Sequence, residues 1–372
     1  MTESLNRVEI SRQALEHNFL LLRQLAAPAG VMAMVKADGY GHGMVECARL
    51  YSSLGVTAFG VAESVEGVRL RQAGIGEPVY VLAGVTPGTV PALLDHDLTP
   101  VLVDETVLAA LSREAVQRRQ TVGVHVKVDA GMGRQGCSPG QAEVLARLIG
   151  RTPGVELQGM MIHFPMADDP ASESTGEILT RFRRLRERLN MGNSLVLHAA
   201  NSGALMYFSG CTLDMVRPGI ALYGCYPSGR VGERGRLAGQ LKPAMRFVSR
   251  VIQVREVEAG TGLGYGHTHV TARRSRIALV PVGYEDGYLR ALSNRARVLV
   301  RGRRVPVVGR ISMNLTMLDV TDLAEVQVED EVVLMGRQGE EEITPEEVAG
   351  WMETISYEVL CLFGNLNRRV YT

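Results

Sequence analysis

Short apolar runs alternate with segments of helical periodicity through the first two-thirds of the chain. Val31–Val35, Ala58–Ala62, Val79–Ala83, Thr99–Val103, Val122–Val128, Gln158–His163, Leu195–His198 and Asp214–Arg217 each read as a strand, eight in all. Between them, Glu105–Arg119 carries apolar Val107, Leu108, Leu111 and Val116. Gly176–Asn190 places Ile178, Phe182, Leu185 and Leu189 at spacings of 4, 3 and 4, one face of a helix. The other face of that segment holds Arg181, Arg183, Arg184, Arg186 and Arg188 and reads as a solvated outer surface. Strand–helix units repeated eight times with short connections predict an α/β fold, an N-terminal (β/α)8 barrel.

After about Gln240 the texture changes. Phe247–Arg255, Arg276–Val282, Ala296–Val300, Val305–Val308 and Glu331–Met335 are strand-like and joined by glycine-rich or charged turns, so a C-terminal, mainly-β domain is expected. The glycine- and arginine-rich stretch Ser228–Gly239 marks the boundary, giving a barrel over 1–235 and a second domain over 236–372. Residues 1–10 are expected to form a strand that joins the second domain. One helix start is well signalled: Thr344 as N-cap, Pro345 in the first turn and Glu347 at the capping-box position.

Composition narrows the function classes. The chain has 372 residues, 46% hydrophobic and 22% charged, the profile of an ordinary globular protein with a sizeable core. Lys+Arg and Asp+Glu number 40 each, and this balance argues against nucleic acid or an anionic membrane as partner. Met1–Arg7 contains no apolar stretch of the secretory kind, and no run is long enough to span a bilayer. Five scattered cysteines without CxxC spacing point away from a disulfide framework or a zinc site and toward a reducing cytoplasm; no metal is expected.

Chemistry-bearing residues fall where a barrel keeps its active site, at the C-terminal ends of strands. Lys36 ends the first apolar run, and the glycine-rich turn Ala37–Gly43 follows, with Tyr40 inside it. An amine at the mouth of a core is partly desolvated, which lowers its pKa from about 10.4 toward neutrality and makes it a nucleophile for an aldehyde. Lys127 lies at the fifth run, with Arg134 in the loop after it; His163 ends the sixth; Asn201 and Ser202 follow the seventh; Arg217, Gly219 and Ile220 follow the eighth. The loops after strands seven and eight commonly hold a phosphate, which suits Ser202, Gly219 and Ile220.

These motifs together resemble the alanine racemases. Val35-Lys36-Ala-Asp-Gly-Tyr40-Gly-His-Gly43 resembles that family's cofactor-lysine signature. Lys127–Arg134, His163-Phe164, Asn201-Ser202 and Arg217–Ile220 fall in family order, as do Gly264–Gly266, Gly283–Tyr288, Gly309–Met313 and Ile355–Glu358. The resemblance implies a pyridoxal-phosphate-dependent isomerase, active as a homodimer with shared sites, that interconverts L- and D-alanine and supplies D-alanine for peptidoglycan.

Residue roles follow from the same resemblance. Lys36 would hold the cofactor as an aldimine and serve the D-alanine face. Tyr265 of the partner subunit would serve the L-alanine face, because one base cannot easily reach both. His163 and Arg217 would form a hydrogen-bond chain behind that tyrosine. Tyr40, Asn201, Ser202, Gly219, Ile220 and Tyr357 would contact the cofactor, most of them at its phosphate. Arg134 and Met313 would hold the substrate carboxylate, Lys127 would support Arg134 as an N-carboxylysine, and Tyr284 would narrow the entrance. An arginine at position 217 argues against barrel-type decarboxylases, which place a carboxylate at the pyridine nitrogen. Gly264 stands where many relatives have serine, and Asn314 where aspartate is more usual, so a broader amino-acid racemase is the near alternative. A non-catalytic pyridoxal-phosphate carrier is the alternative of a different class, and carriers lack the second domain.

Overall fold

The computed structural model describes residues 4–189, 195–229 and 235–372. Eight parallel strands close into a barrel in chain order: Gly30–Met34, Ala58–Glu63, Val79–Gly84, Leu98–Leu102, Val122–Lys127, Val155–Met161, Val196–His198 and Met215–Val216. Every run read from the sequence overlaps one of them, and the (β/α)8 reading is borne out. Most strand positions are buried on both faces, which is why most of the strands read as apolar runs; the first half of Val155–Met161 alternates instead, with Glu156 and Gln158 exposed. Closure is made by short strands: Gly30 and Val31 register with Met215 and Val216, and His198 registers with Met215. The helix over Ser174–Leu189 buries Ile178, Phe182 and Leu185, and Arg181, Arg183, Arg184 and Arg188 are exposed on its outer face. Asn190, assigned to the same segment, lies outside the described residues, as do 230–234 of the Ser228–Gly239 linker.

Helix starts are set locally. Ser11 caps Arg12–Ala26 by accepting from the Ala14 N–H at 3.2 Å, and Ser138 with Gln141 forms a reciprocal capping box. Thr344 caps Pro345–Met352 by accepting from the Glu347 N–H at 3.1 Å. The expected return half of that box is not made. The Glu347 carboxylate pairs instead with Arg304, because a guanidinium offers a stronger partner than one amide.

The second domain is mainly β. Its large sheet runs Arg303–Pro306, Arg297–Val300, Glu331–Gln338, Met245–Arg250, Arg7–Ile10, Arg369–Tyr371, so the two ends of the chain are neighbours in it. A three-stranded sheet joins Gln253–Val257, Ser275–Val280 and Thr316–Asp319. The run Phe247–Arg255, expected as one strand, is two. Buried Val251 donates to Asp330 O at 2.9 Å, and Ile252 donates to Leu279 O at 2.9 Å, so the chain leaves one sheet and enters the other between those two residues. Among the described residues no helix is long and apolar enough to cross a membrane.

The last helix, Ser356–Leu366, joins the two domains. Phe363 is fully buried against Phe247 (ring centroids 4.9 Å) and Tyr288 (6.3 Å) on the sheet side. On its other side the backbone meets the turn after Lys36 so closely that a Cβ on Gly364 would lie 1.9 Å from Gly41 O, and one on Gly41 2.2 Å from Leu360 O. Removing the Phe363 ring leaves a cavity at this junction. Phe363→Ala is expected to cost about 3–5 kcal/mol, read as a lower urea midpoint with an unchanged slope.

Candidate active site

Lys36 stands two residues beyond the end of the first barrel strand and opens to the barrel mouth. The turn after it is left-handed over four consecutive residues: Ala37 (φ 53°), Asp38 (51°), Gly39 (66°) and Tyr40 (52°). Left-handed backbone costs a non-glycine residue roughly 1–2 kcal/mol, so surrounding contacts must impose it. Glu66 accepts from the Ala37 N–H at 2.8 Å. The Asp38 carboxylate accepts from the Met44 N–H at 3.0 Å and pairs with Arg369 at 2.6 Å. Burial works against the Asp38 charge, but those two partners and Arg69 hold its pKa below the usual carboxylate value. The turn points Lys36 to the mouth and buries Tyr40 between Tyr223 (centroids 4.9 Å) and Tyr357 (6.0 Å).

Around the Lys36 amine the barrel gathers cations. Burial lowers its pKa, and the charge of Arg134 lowers it further. Lys127, the last residue of its strand, is pushed down to about 8 by burial and then by Arg134, Arg217 and Lys36. Its Nζ donates to Gln135 Oε1 at 2.8 Å. His163 is pushed down to about 3 by burial and by Arg217, Lys127, Arg134 and Lys36, so it is a neutral imidazole at physiological pH. Arg134 is exposed on a loop that the Asp129 carboxylate shapes by accepting from the N–H groups of Gly131, Met132 and Gly133 at 3.0, 3.0 and 3.2 Å.

Arg217 is only 4% exposed, and burial lowers its pKa to about 9. Its Nη2 donates to Ile162 O at 2.7 Å and Ala199 O at 3.1 Å, and its Nη1 donates to His198 Nδ1 at 3.2 Å. Arginine can only donate, so His198 carries its proton on Nε2, which donates to His125 Nδ1 at 2.8 Å. This buried chain was not anticipated as part of the site. A signal for it exists: Gly159, inside a barrel strand and registered with His125, would place a Cβ 2.2 Å from the His125 ring, so that glycine makes room for the imidazole.

The phosphate-cradle residues also converge. Ser202 Oγ accepts from the N–H groups of Gly219 at 2.9 Å and Ala221 at 3.3 Å, with buried Ile220 between them. A Cβ on Gly219 would lie 2.3 Å from Tyr40 Oη, so only glycine lets the Tyr40 hydroxyl approach that backbone. Asn201 caps the helix Ser202–Tyr207 by accepting from Ala204 N–H at 2.9 Å, which commits its carbonyl oxygen and leaves its amide NH2 to a ligand. Burial pushes the Tyr40 and Tyr357 hydroxyls up, keeping both protonated donors.

Three of the expected residues lie elsewhere. Tyr265, Tyr284 and Met313 are on loops of the second domain and are 69%, 40% and 53% exposed. The loops of Tyr284 and Met313 are tied together: Tyr284 N–H donates to Ser312 O at 3.2 Å, Glu285 N–H to Met313 O at 3.1 Å, and Asn314 Nδ2 to the Glu285 carboxylate. Among the described residues no hydrogen bond, ion pair or ring contact joins them to Lys36 or Arg134. Each chain thus carries a barrel-mouth cluster and a separate exposed cluster.

Residues 10–227 match the family model described as alanine racemase, N-terminal domain, and residues 244–371 match alanine racemase, C-terminal domain. The chain is 42% identical over 370 residues to the alanine racemase of Thermodesulfovibrio yellowstonii, covering 98% of this chain and 97% of that one. It is also 42% identical over 359 residues to that of Syntrophobacter fumaroxidans, covering 96% and 95%. Among solved structures, alanine racemase from E. faecalis superposes with a TM-score of 0.92 at 35% identity, covering 99% and 98% of the two chains. That from Bartonella henselae, with covalently bound pyridoxal phosphate, gives 0.88 at 28% identity, covering 99% of each.

The crowded cations predict a pH dependence of stability. Lys127 loses its proton near 8 in the folded chain and near 10.4 when unfolded. The unfolded state therefore binds more protons between those values, and stability rises with pH there. In buffer free of carbon dioxide, wild type is expected to gain about 2 kcal/mol relative to Lys127→Met between about pH 7 and about pH 9.5. Parallel denaturant curves for the two proteins would contradict it.

Proposed function

The chain belongs to the alanine racemase family, and from that premise we propose that it interconverts L- and D-alanine with pyridoxal phosphate as a homodimer, supplying D-alanine for peptidoglycan. The donor set suits the cofactor. The hydroxyls of Tyr40, Tyr357 and Ser202 and the backbone of Gly219 and Ile220 offer donors to a phosphate, in a place where a Cβ on Gly219 would block Tyr40. Lys36 would hold the aldehyde carbon, Arg217 would donate to the pyridine nitrogen, and the Asn201 amide would face the ring's polar edge. When bound, pyridoxal phosphate draws electrons from the substrate Cα and makes its proton acidic.

The protein's own groups do the rest. An amine of lowered pKa at Lys36 is prepared to take and return a proton on one face of Cα. The other face needs a second base, and the partner subunit's Tyr265 fills that role. Neutral His163 would accept a hydrogen bond from that phenol and pass its orientation to Arg217. Arg217 is an obligate donor held by two carbonyls and His198, so it would leave the pyridine nitrogen of a bound cofactor unprotonated and restrain competing chemistry. Arg134 and the partner subunit's Met313 backbone would bind the substrate carboxylate, and the partner subunit's Tyr284 would narrow the entrance. An unprotonated amine attacks the carbon of carbon dioxide and gives up a proton as the carbamate forms, so Lys127, with its pKa near 8, is suited to become an N-carboxylysine that attracts Arg134.

One observation carries this reading. Lys36 with its supporting cations lies at the barrel mouth, while Tyr265 is 69% exposed on another domain. A second copy of the chain completes such a site.

Three outcomes are expected. Wild type should racemise alanine and show a visible absorbance band, and Lys36→Ala should lose both; cofactor binding without any change in either enantiomer would favour the carrier reading. Tyr265→Phe should lose at least about a hundredfold in turnover, the lower range for a general acid–base group, and still bind cofactor. Mixing Tyr265→Phe with Lys36→Ala should restore activity, since part of the hybrid sites are intact; no recovery after demonstrated subunit exchange would count against shared sites.

A further inference from the structure

The C-terminal strand Arg369–Tyr371 reaches the turn that follows Lys36, some 330 residues earlier in the chain. One guanidinium spans that turn. Arg369 Nη2 pairs with Asp38 Oδ2 at 2.6 Å near its start, and Nη1 donates to Gly41 O at 3.3 Å at its end. Beside it, Tyr371 Oη donates to His42 O at 3.0 Å, and a Cβ on Gly43 would lie 1.9 Å from that hydroxyl. Inside the turn, Gly41 N–H donates to Ala37 O at 3.1 Å and Gly43 N–H to Asp38 O at 2.8 Å. Those local bonds exist in any chain that adopts the turn. They do not select a left-handed path for Ala37, Asp38 and Tyr40 over the right-handed one that L-residues prefer.

The selection comes from outside the turn. Asp38 must face Arg369 and Arg69, Ala37 N–H must face Glu66, and the carbonyls of Gly41 and His42 must face the C-terminal strand. Arg369 meets two of these four demands at once. The strand that carries it is anchored by parallel pairing with Arg7–Ile10 and by bonds between Thr372 and both Ile10 and Arg12. The brace is therefore a fixed part of the second domain.

We propose that Arg369, aided by Tyr371, is a positioning residue for the reaction. It holds the left-handed turn that aims the Lys36 amine and the Tyr40 hydroxyl at one cofactor, so the second domain of each chain tunes its own barrel as well as serving its partner. This rests on the function proposed above. The brace touches neither substrate nor cofactor and acts through Asp38 and Gly41.

The test uses the full-length holoenzyme and the same protein stripped of cofactor. Arg369→Gln should weaken pyridoxal phosphate binding by about tenfold or more, the scale of a lost charge-assisted bond. It should also move the pH midpoint of the visible absorbance, while thermal unfolding of the stripped protein shifts by no more than about 5 °C. Arg369→Lys keeps the ion pair but cannot also reach Gly41 O, and should fall between. Asp38→Asn and Arg369→Gln together should cost less than the sum of the two single changes, because they share the Asp38–Arg369 ion pair. Wild-type affinity and midpoint in Arg369→Gln would overturn the proposal. Should that variant not fold, Tyr371→Phe carries the test: weaker cofactor binding with the fold intact supports the brace, and unchanged binding overturns it. A wild-type protein that neither binds the cofactor nor racemises alanine would sink the proposed function itself, and that result appears in the wild-type arm alone.

Discussion

Like charges held together, with Lys127 and Arg217 buried among them, set the terms for everything at the barrel mouth. Lys36, Lys127, Arg134 and Arg217 each depress the protonation of a neighbour, and no carboxylate ranks among the larger influences on His163 or Arg217. Folding such a cluster is unfavourable, and the site lowers that cost in two ways. It lets lysines and histidines shed protons, and it leaves room for anions. A phosphate, a substrate carboxylate and a carbamate on Lys127 are the anions that the donor geometry suits. The same field favours a small anionic occupant, and with burial it keeps His163 neutral beside Arg217.

The second consequence concerns Arg217. A guanidinium in a barrel core would be costly if its donors were unpaired. Two carbonyls and the His198–His125 chain engage three of its five donors, and because arginine only donates, the direction of every hydrogen bond in that chain follows from its presence. Two buried histidines and one interior glycine, Gly159, are thereby explained by one arginine. The chain holds the guanidinium in place without neutralising it.

The two domains depend on each other in both directions. The second leaves Tyr265, Tyr284 and Met313 exposed, on surface that a second chain can cover. Its last helix and last strand meanwhile press on the turn after Lys36, so closely that Gly41, Gly43 and Gly364 have no room for a Cβ. Under the proposed function, one base would come from the barrel and the other from the exposed loop of a second chain.

Much of this was legible in the sequence. Strand order, the barrel, and the lining of Lys36, Lys127, His163, Ser202 and Arg217 at strand ends follow from apolar runs and turn residues, which act over a few positions and so are written locally. The capping of Pro345–Met352 by Thr344 is of the same kind. Other features depended on residues far apart in the chain. The run Phe247–Arg255 divides between two sheets because Asp330 and Leu279 wait on either side of its middle. Glu347 abandons its capping role for Arg304. The left-handed path of Ala37–Tyr40 exists because Arg369 and Tyr371 arrive from the opposite end of the molecule. The sequence by itself determined which residues could do chemistry and on which strand each would sit. Only the tertiary structure decided their protonation and aim, because burial and charge are properties of neighbours that the chain does not place next to one another until it folds.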